Sequence, residues 1–175
     1  ALFMRDISDQ ELTDIRDGVL LYNCTNVTVR DSVVENSTSA VFAYACPHLT
    51  VRNVTVRDTD GSGLLLYECD DLTVSDCVFD NVSWNDVYLT DCQRGLVSGN
   101  KVTGSTAQAV VINQGGNITV RDNVVGESGN PPYYQGGVSI FRSPWCIVAN
   151  NTLYSHYDGI SVSYSNNVTI DANQL

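Results

Sequence analysis

Short apolar segments return along this chain at nearly constant intervals. Val19-Leu20-Leu21-Tyr22-Asn23-Cys24 recurs as Val41-Phe42-Ala43-Tyr44-Ala45-Cys46, as Leu64-Leu65-Leu66-Tyr67-Glu68-Cys69 and as Val87-Tyr88-Leu89-Thr90-Asp91-Cys92, at spacings of 22, 23 and 23 residues. Weaker copies begin at Val110, Val138 and Ile160, which makes seven. An apolar-Thr-apolar triplet follows most copies: Val27-Thr28-Val29, Leu49-Thr50-Val51, Leu72-Thr73-Val74, Ile118-Thr119-Val120 and Val168-Thr169-Ile170. A third apolar segment then ends at Val34, Val56, Phe79, Val102, Val125 or Leu153.

Each segment alternates, is rich in β-branched residues and is too short for a helix, so each unit predicts three short strands joined by polar turns. Identical residue types at one offset fit a coil that stacks each strand on its own copy one turn later. The pattern predicts an all-β parallel solenoid of about seven and a half coils of 22–23 residues, one β-helix domain over residues 1–175. Alternation assigns two inward columns, Val19/Val41/Leu64/Val87/Val110/Val138/Ile160 and Leu21/Ala43/Leu66/Leu89/Ile112/Ile140/Val162. Cys24, Cys46, Cys69, Cys92, Gly115, Ser143 and Ser165 fill one bend. Asn100, Asn123, Asn151 and Asn173 stand at another, where side-chain amides satisfy turn groups that no strand ladder covers. The register of residues 1–17 is the weak point, because the repeat spacing puts a second strand at Ile7 and turns Arg5 inward. The chain stops at Leu175 in a third strand, so the solenoid is expected either to continue in a longer protein or to be capped by another copy.

The N-V-T-V and D-N-V-V segments and Asp158-Gly159-Ile160 resemble the right-handed parallel β-helix repeats of the NosD-like and CASH (carbohydrate-binding and sugar hydrolase) family, over residues 18–175. The resemblance implies the fold, including its right hand. It implies no single activity, because the family holds lyases, epimerases, hydrolases and non-catalytic surface proteins.

Composition narrows the partners. Twenty acidic residues against nine basic ones give a net charge of -11, which disfavours nucleic acid and anionic membrane surfaces. No apolar run reaches a membrane span, so no membrane insertion is expected. The acid is mostly Asp and the only lysine is Lys101, a bias of the kind seen in proteins adapted to high salt.

Six cysteines admit three readings: small buried side chains, disulfides such as Cys24–Cys46 or Cys69–Cys92, and a soft-metal site. The NosD resemblance brings an association with copper, but no C-x-x-C or His-rich spacing accompanies it, and neither metal nor cofactor is expected. Eight sequons occur, at Asn23, Asn26, Asn36, Asn53, Asn81, Asn117, Asn150 and Asn167. Most arise from the grammar of the repeat, and Asn23 and Asn36, in turns, are the candidates for glycosylation.

The outward face of the first strand is unexpectedly apolar. One column reads Leu20, Phe42, Leu65, Tyr88, Val111 and its neighbour Tyr22, Tyr44, Tyr67, Thr90, Asn113, Phe141. A patch of several hundred Å² is more than a monomer normally leaves uncovered. The main expectation is therefore a non-catalytic extracellular or cell-surface module that associates with its own copies or another surface protein through this face. The alternative is a carbohydrate-active or glycan-binding protein acting on a polysaccharide. The one long turn, 126–137, places Tyr133 and Tyr134 near His156, Tyr157 and Asp158. The resemblance to lyases and epimerases of this fold implies roles there for Tyr134, His156 and Asp158 in proton abstraction, with Arg121 and Arg142 as the nearest basic residues. Asp70-Asp71 aligns with ordinary turn residues and is not read as an acid pair.

Overall fold

The computed structural model describes residues 1–126, 136–154 and 158–175. Every strand pairing in it is parallel, and among the described residues there is no helix, hence none long and apolar enough to cross a membrane. The first strand of each coil joins an eight-stranded sheet: Leu2–Arg5, Val19–Tyr22, Val41–Tyr44, Leu64–Tyr67, Val87–Thr90, Val110–Asn113, Gly136–Phe141 and Asp158–Ser163. The second and third strands share a twelve-stranded sheet that closes the other sides. They are not always separate: Thr28–Glu35 and Thr50–Thr59 each run through the bend as one strand.

Stacking is in register, Val19 on Val41 on Leu64 on Val87 on Val110 on Val138 on Ile160. Both inward columns are buried except at the last coil, where Ile160 is half-buried and Val162 is exposed. From Val19 to Ile160 the chain climbs six turns, and one shorter turn precedes them. That shorter turn corrects the sequence reading. Leu2 pairs with Val19 and Glu11 with Thr28, so the first coil has 17 residues, not 22, and its second strand is Glu11–Leu12 rather than a segment at Ile7. Arg5 consequently pairs with Tyr22 and points outward, while Met4 takes the inward position against Leu21.

The corners explain the composition. Among the described residues, 26 non-glycine residues have φ near +50 to +60°, and 17 of them are Asp or Asn. These side chains tolerate the left-handed conformation because they hydrogen-bond locally. Nine of the sixteen aspartates occupy such corners, so the Asp bias has a structural cause. Many corners are also stapled to the coil below: Asn23 donates to Asp6, Asn26 to Asp9, Asn53 to Asp31 and Asn81 to Asp58, at 2.6–2.7 Å.

The asparagine bend forms a continuous ladder. Nδ2 of Asn100, Asn123 and Asn151 donates to Oδ1 of the next asparagine at 2.9 Å, ending on Asn173. Each Oδ1 also accepts the backbone N–H of the preceding coil at 2.9–3.0 Å, that of Cys77 included. All six cysteines are free thiols and buried, which leaves the disulfide reading without support. Among the described residues no three candidate ligands gather as a metal site. Burial pushes the Cys77 thiol up to about 12 and raises Cys146 as well. Cys69 is held high by hydrogen bonds to Cys46 and Cys92 and by burial.

One inward position breaks pattern. The residue before each position of the Val19 column is Gly18, Ala40, Gly63, Asp86, Ala109, Gly137 or Gly159, a column of small side chains with one carboxylate. Asp86 is fully buried, accepts from Ser105 Oγ at 2.5 Å through Oδ2, and leaves Oδ1 unpaired. Desolvation drives its pKa well above the usual carboxylate range.

Candidate functional site

The outward columns of the first sheet form the most distinctive surface. Register sets Phe3, Leu20, Phe42, Leu65 and Tyr88 in one column and Arg5, Tyr22, Tyr44 and Tyr67 in the next. The aromatic rings alternate between the two, so diagonal neighbours touch across the ladder. Ring centroids are 5.7 Å apart for Phe3–Tyr22, 5.5 Å for Tyr22–Phe42, 5.8 Å for Phe42–Tyr67 and 6.2 Å for Tyr67–Tyr88, all tilted. Tyr44 packs beside Tyr22 at 6.4 Å. The result is a zigzag of rings along the solenoid axis, with Leu20 and Leu65 between them.

This leaning reduces the exposure expected from sequence. Leu20, Tyr22, Phe42, Leu65, Tyr67 and Tyr88 are half-buried, while Phe3 (59%) and Tyr44 (42%) are exposed. Val111 and Thr90, expected to extend the surface, are buried at 7% and 8%. Phe141 lies apart from the zigzag, edge-on to Tyr164 at 5.5 Å, with Arg142 over its ring at 5.0 Å.

Grooves border the stripe on both sides, three of them lined by described residues. One of about 670 Å³ lies against Phe3, Tyr22 and Tyr44 on the side of Asp6 and Asn23. The others, of about 560 and 370 Å³, run along the opposite rim, where Ser37, Thr38, Ser39, Ser62 and Asn85 face Phe42, Leu65, Tyr67 and Tyr88. Trp84, exposed and lining the third groove, was not singled out from sequence. Its only signal is a large aromatic in a turn four residues before Tyr88. Phe3 was missed because the short first coil breaks the repeat.

The phenols are tuned for hydrogen bonding. Tyr44 Oη donates to Glu68 Oε1 at 3.0 Å, and this bond holds its pKa above the ordinary phenol value. Burial, then the neighbouring Tyr88, raises Tyr67. A tyrosine that abstracts a proton needs the opposite shift, so these groups suit contact rather than base catalysis.

Of the other predicted residues, Tyr133, Tyr134, His156 and Tyr157 lie outside the described residues. Asp158 is exposed and opens the last first-sheet strand, paired with Gly136. Arg121 forms an ion pair with Asp122 on the second sheet. Asn23 is engaged with Asp6, and Asn36 is exposed at the second groove.

The repeat is also decisive in comparison with known proteins. A family model described as "Right handed beta helix region" matches residues 5–125 and 62–175. The chain belongs to the right-handed β-helix family. None of the curated proteins matches its sequence. Among solved structures, this β-helix is similar to an alginate lyase from Paenibacillus sp., with a TM-score of 0.62 and 9% identity, over 94% of this chain and 80% of that one. It is similar to the mannuronan C-5 epimerase AlgE6 A-module of Azotobacter vinelandii, with a TM-score of 0.66 and 15% identity, over 98% of this chain and 65% of that one. A glycosyl hydrolase so described only on provisional grounds, from Parabacteroides merdae, matches with a TM-score of 0.54 and 10% identity, over 93% and 81%. At these identities the likeness is one of fold. The chain spans just under two thirds of the epimerase module.

Proposed function

We propose that this β-helix is a glycan-binding module that lays a polysaccharide along the aromatic stripe of its first sheet, in a periplasmic, cell-surface or extracellular setting. The observation that carries the reading is the zigzag Phe3–Tyr22–Phe42–Tyr67–Tyr88 with grooves on both sides. Aromatic rings offer sugars flat apolar contact, and phenol, hydroxyl and amide groups at the rims offer hydrogen bonds. Coils rise by about 4.8 Å, a step close to one sugar of an extended chain, so a glycan parallel to the axis meets a ring at each successive coil, taken alternately from the two columns. Fold neighbours that act on polysaccharides agree with this reading.

Protein association through the same stripe is the competing occupant. The two separate in one experiment. Wild-type, Phe42→Ala and Tyr67→Ala proteins are titrated with a polysaccharide panel while light scattering follows their mass. The expected result is wild-type binding, a loss of about tenfold in each variant, equivalent to ~1.4 kcal/mol, and an unchanged monomer mass. Self-association that requires Phe42 and Tyr67, without glycan binding, would overturn the proposal.

A further inference from the structure

We infer that the glycan accepted by this face is uncharged, an inference that rests on the glycan-binding reading above. The charged side chains lining the three grooves, among the described residues, are Arg5, Asp6 and Asp17. Arg5 is already paired with Asp6 at 3.3 Å. The corner column beside the stripe adds Glu68 and Asp91. Cations are concentrated elsewhere: Arg30, Arg57, Arg94 and Arg121 sit on or beside the second sheet, paired with Glu11 and Asp31, Glu35, Asp71, and Asp122. Arg142 stands beyond the zigzag, over Phe141.

A polyuronate laid along this stripe would bring one carboxylate per sugar to an acidic rim, where Arg5 is the one guanidinium among the described groove-lining residues and is already paired with Asp6. Like-charge apposition rejects such a ligand, and the net charge of -11 slows its approach. The opposite rim has the chemistry that uncharged sugars need. Ser37, Thr38, Ser39, Ser62 and Asn85 supply hydroxyl and amide groups that both donate and accept. Ser37 lies at the second groove, and its Oγ is buried without a hydrogen-bond partner.

Isothermal titration against alginate and against uncharged glucans, mannans and xylans tests this, with Phe42→Ala as the control for location. The expected result is an uncharged ligand bound about tenfold or more tightly than alginate, weakened by Phe42→Ala and little affected by salt. Alginate binding that equals or exceeds the best uncharged glycan, and that Phe42→Ala weakens, would overturn this inference while upholding the glycan face. Failure of every polysaccharide to bind would overturn the glycan reading itself, and the inference with it.

Discussion

Asn100 and Asn123 join two neighbouring coils twice over: Oδ1 of Asn123 accepts the side-chain amide of Asn100 at 2.9 Å and its backbone N–H at 3.0 Å. The amide of Asn123 is equally committed, to Asn151 Oδ1 and to the carbonyl of Val97 at 3.0 Å. One buried side chain therefore satisfies three coils. Replacing it with alanine strands several buried polar groups, each costing about 1–3 kcal/mol. Asn123→Ala is expected to lower the unfolding free energy in urea by about 3 kcal/mol or more, and a loss below about 1 kcal/mol would contradict the ladder's role.

Gly63 is a second point of close fit. A Cβ there would stand 2.6 Å from the carbonyl oxygen of Asp86 and 2.8 Å from Cδ1 of Phe79, the largest fully buried side chain. Neither the backbone oxygen nor the packed ring can withdraw cheaply. Gly63→Ala is expected to destabilise by about 1–3 kcal/mol, measured by thermal unfolding, whereas alanine at the equivalent Ala40 and Ala109 is native.

Asp86 makes stability depend on pH. Its folded pKa is raised above the unfolded value, so the folded state binds more protons between the two. Its contribution is fully present below the unfolded carboxylate pKa, near 3.9 for Asp, and is lost as pH rises through the folded value. Asp86→Asn is expected to be more stable than wild type at pH 8, with the advantage shrinking toward pH 4. Parallel melting profiles across that range would rule out this role for Asp86.

The thiols should be silent in the folded protein. All six are buried, so none of their sulfurs is open to a reagent in the native state. A disulfide-exchange reagent is expected to label none within minutes and all six after denaturation. Rapid labelling of the native state would contradict the packing described.

Much of this fold was legible because in-register stacking writes the same residue at the same offset. Val19 to Ile160 could be aligned by eye, and the asparagine ladder followed from four residues in one column. The first coil was not legible, because at 17 residues it lacks the spacing that exposed the others, and Arg5 was turned the wrong way as a result. Asp86 was overlooked for a different reason: a carboxylate in a Gly/Ala column reads as a turn residue until burial is known. The aromatic stripe could be read from alternation alone, but its zigzag could not, since that depends on diagonal contacts between rings such as Tyr22 and Phe42. The grooves depend on turns from several coils and leave no periodic signal.

The decisive question is where a glycan touches the solenoid. Amide chemical-shift mapping during titration with the tightest polysaccharide of the panel measures this directly. Glycan on the stripe predicts perturbations centred on Tyr22, Phe42, Tyr67 and Tyr88 and their flanking turns. Perturbations confined to the outward threonines of the second sheet, Thr28, Thr50, Thr73 and Thr119, would contradict it.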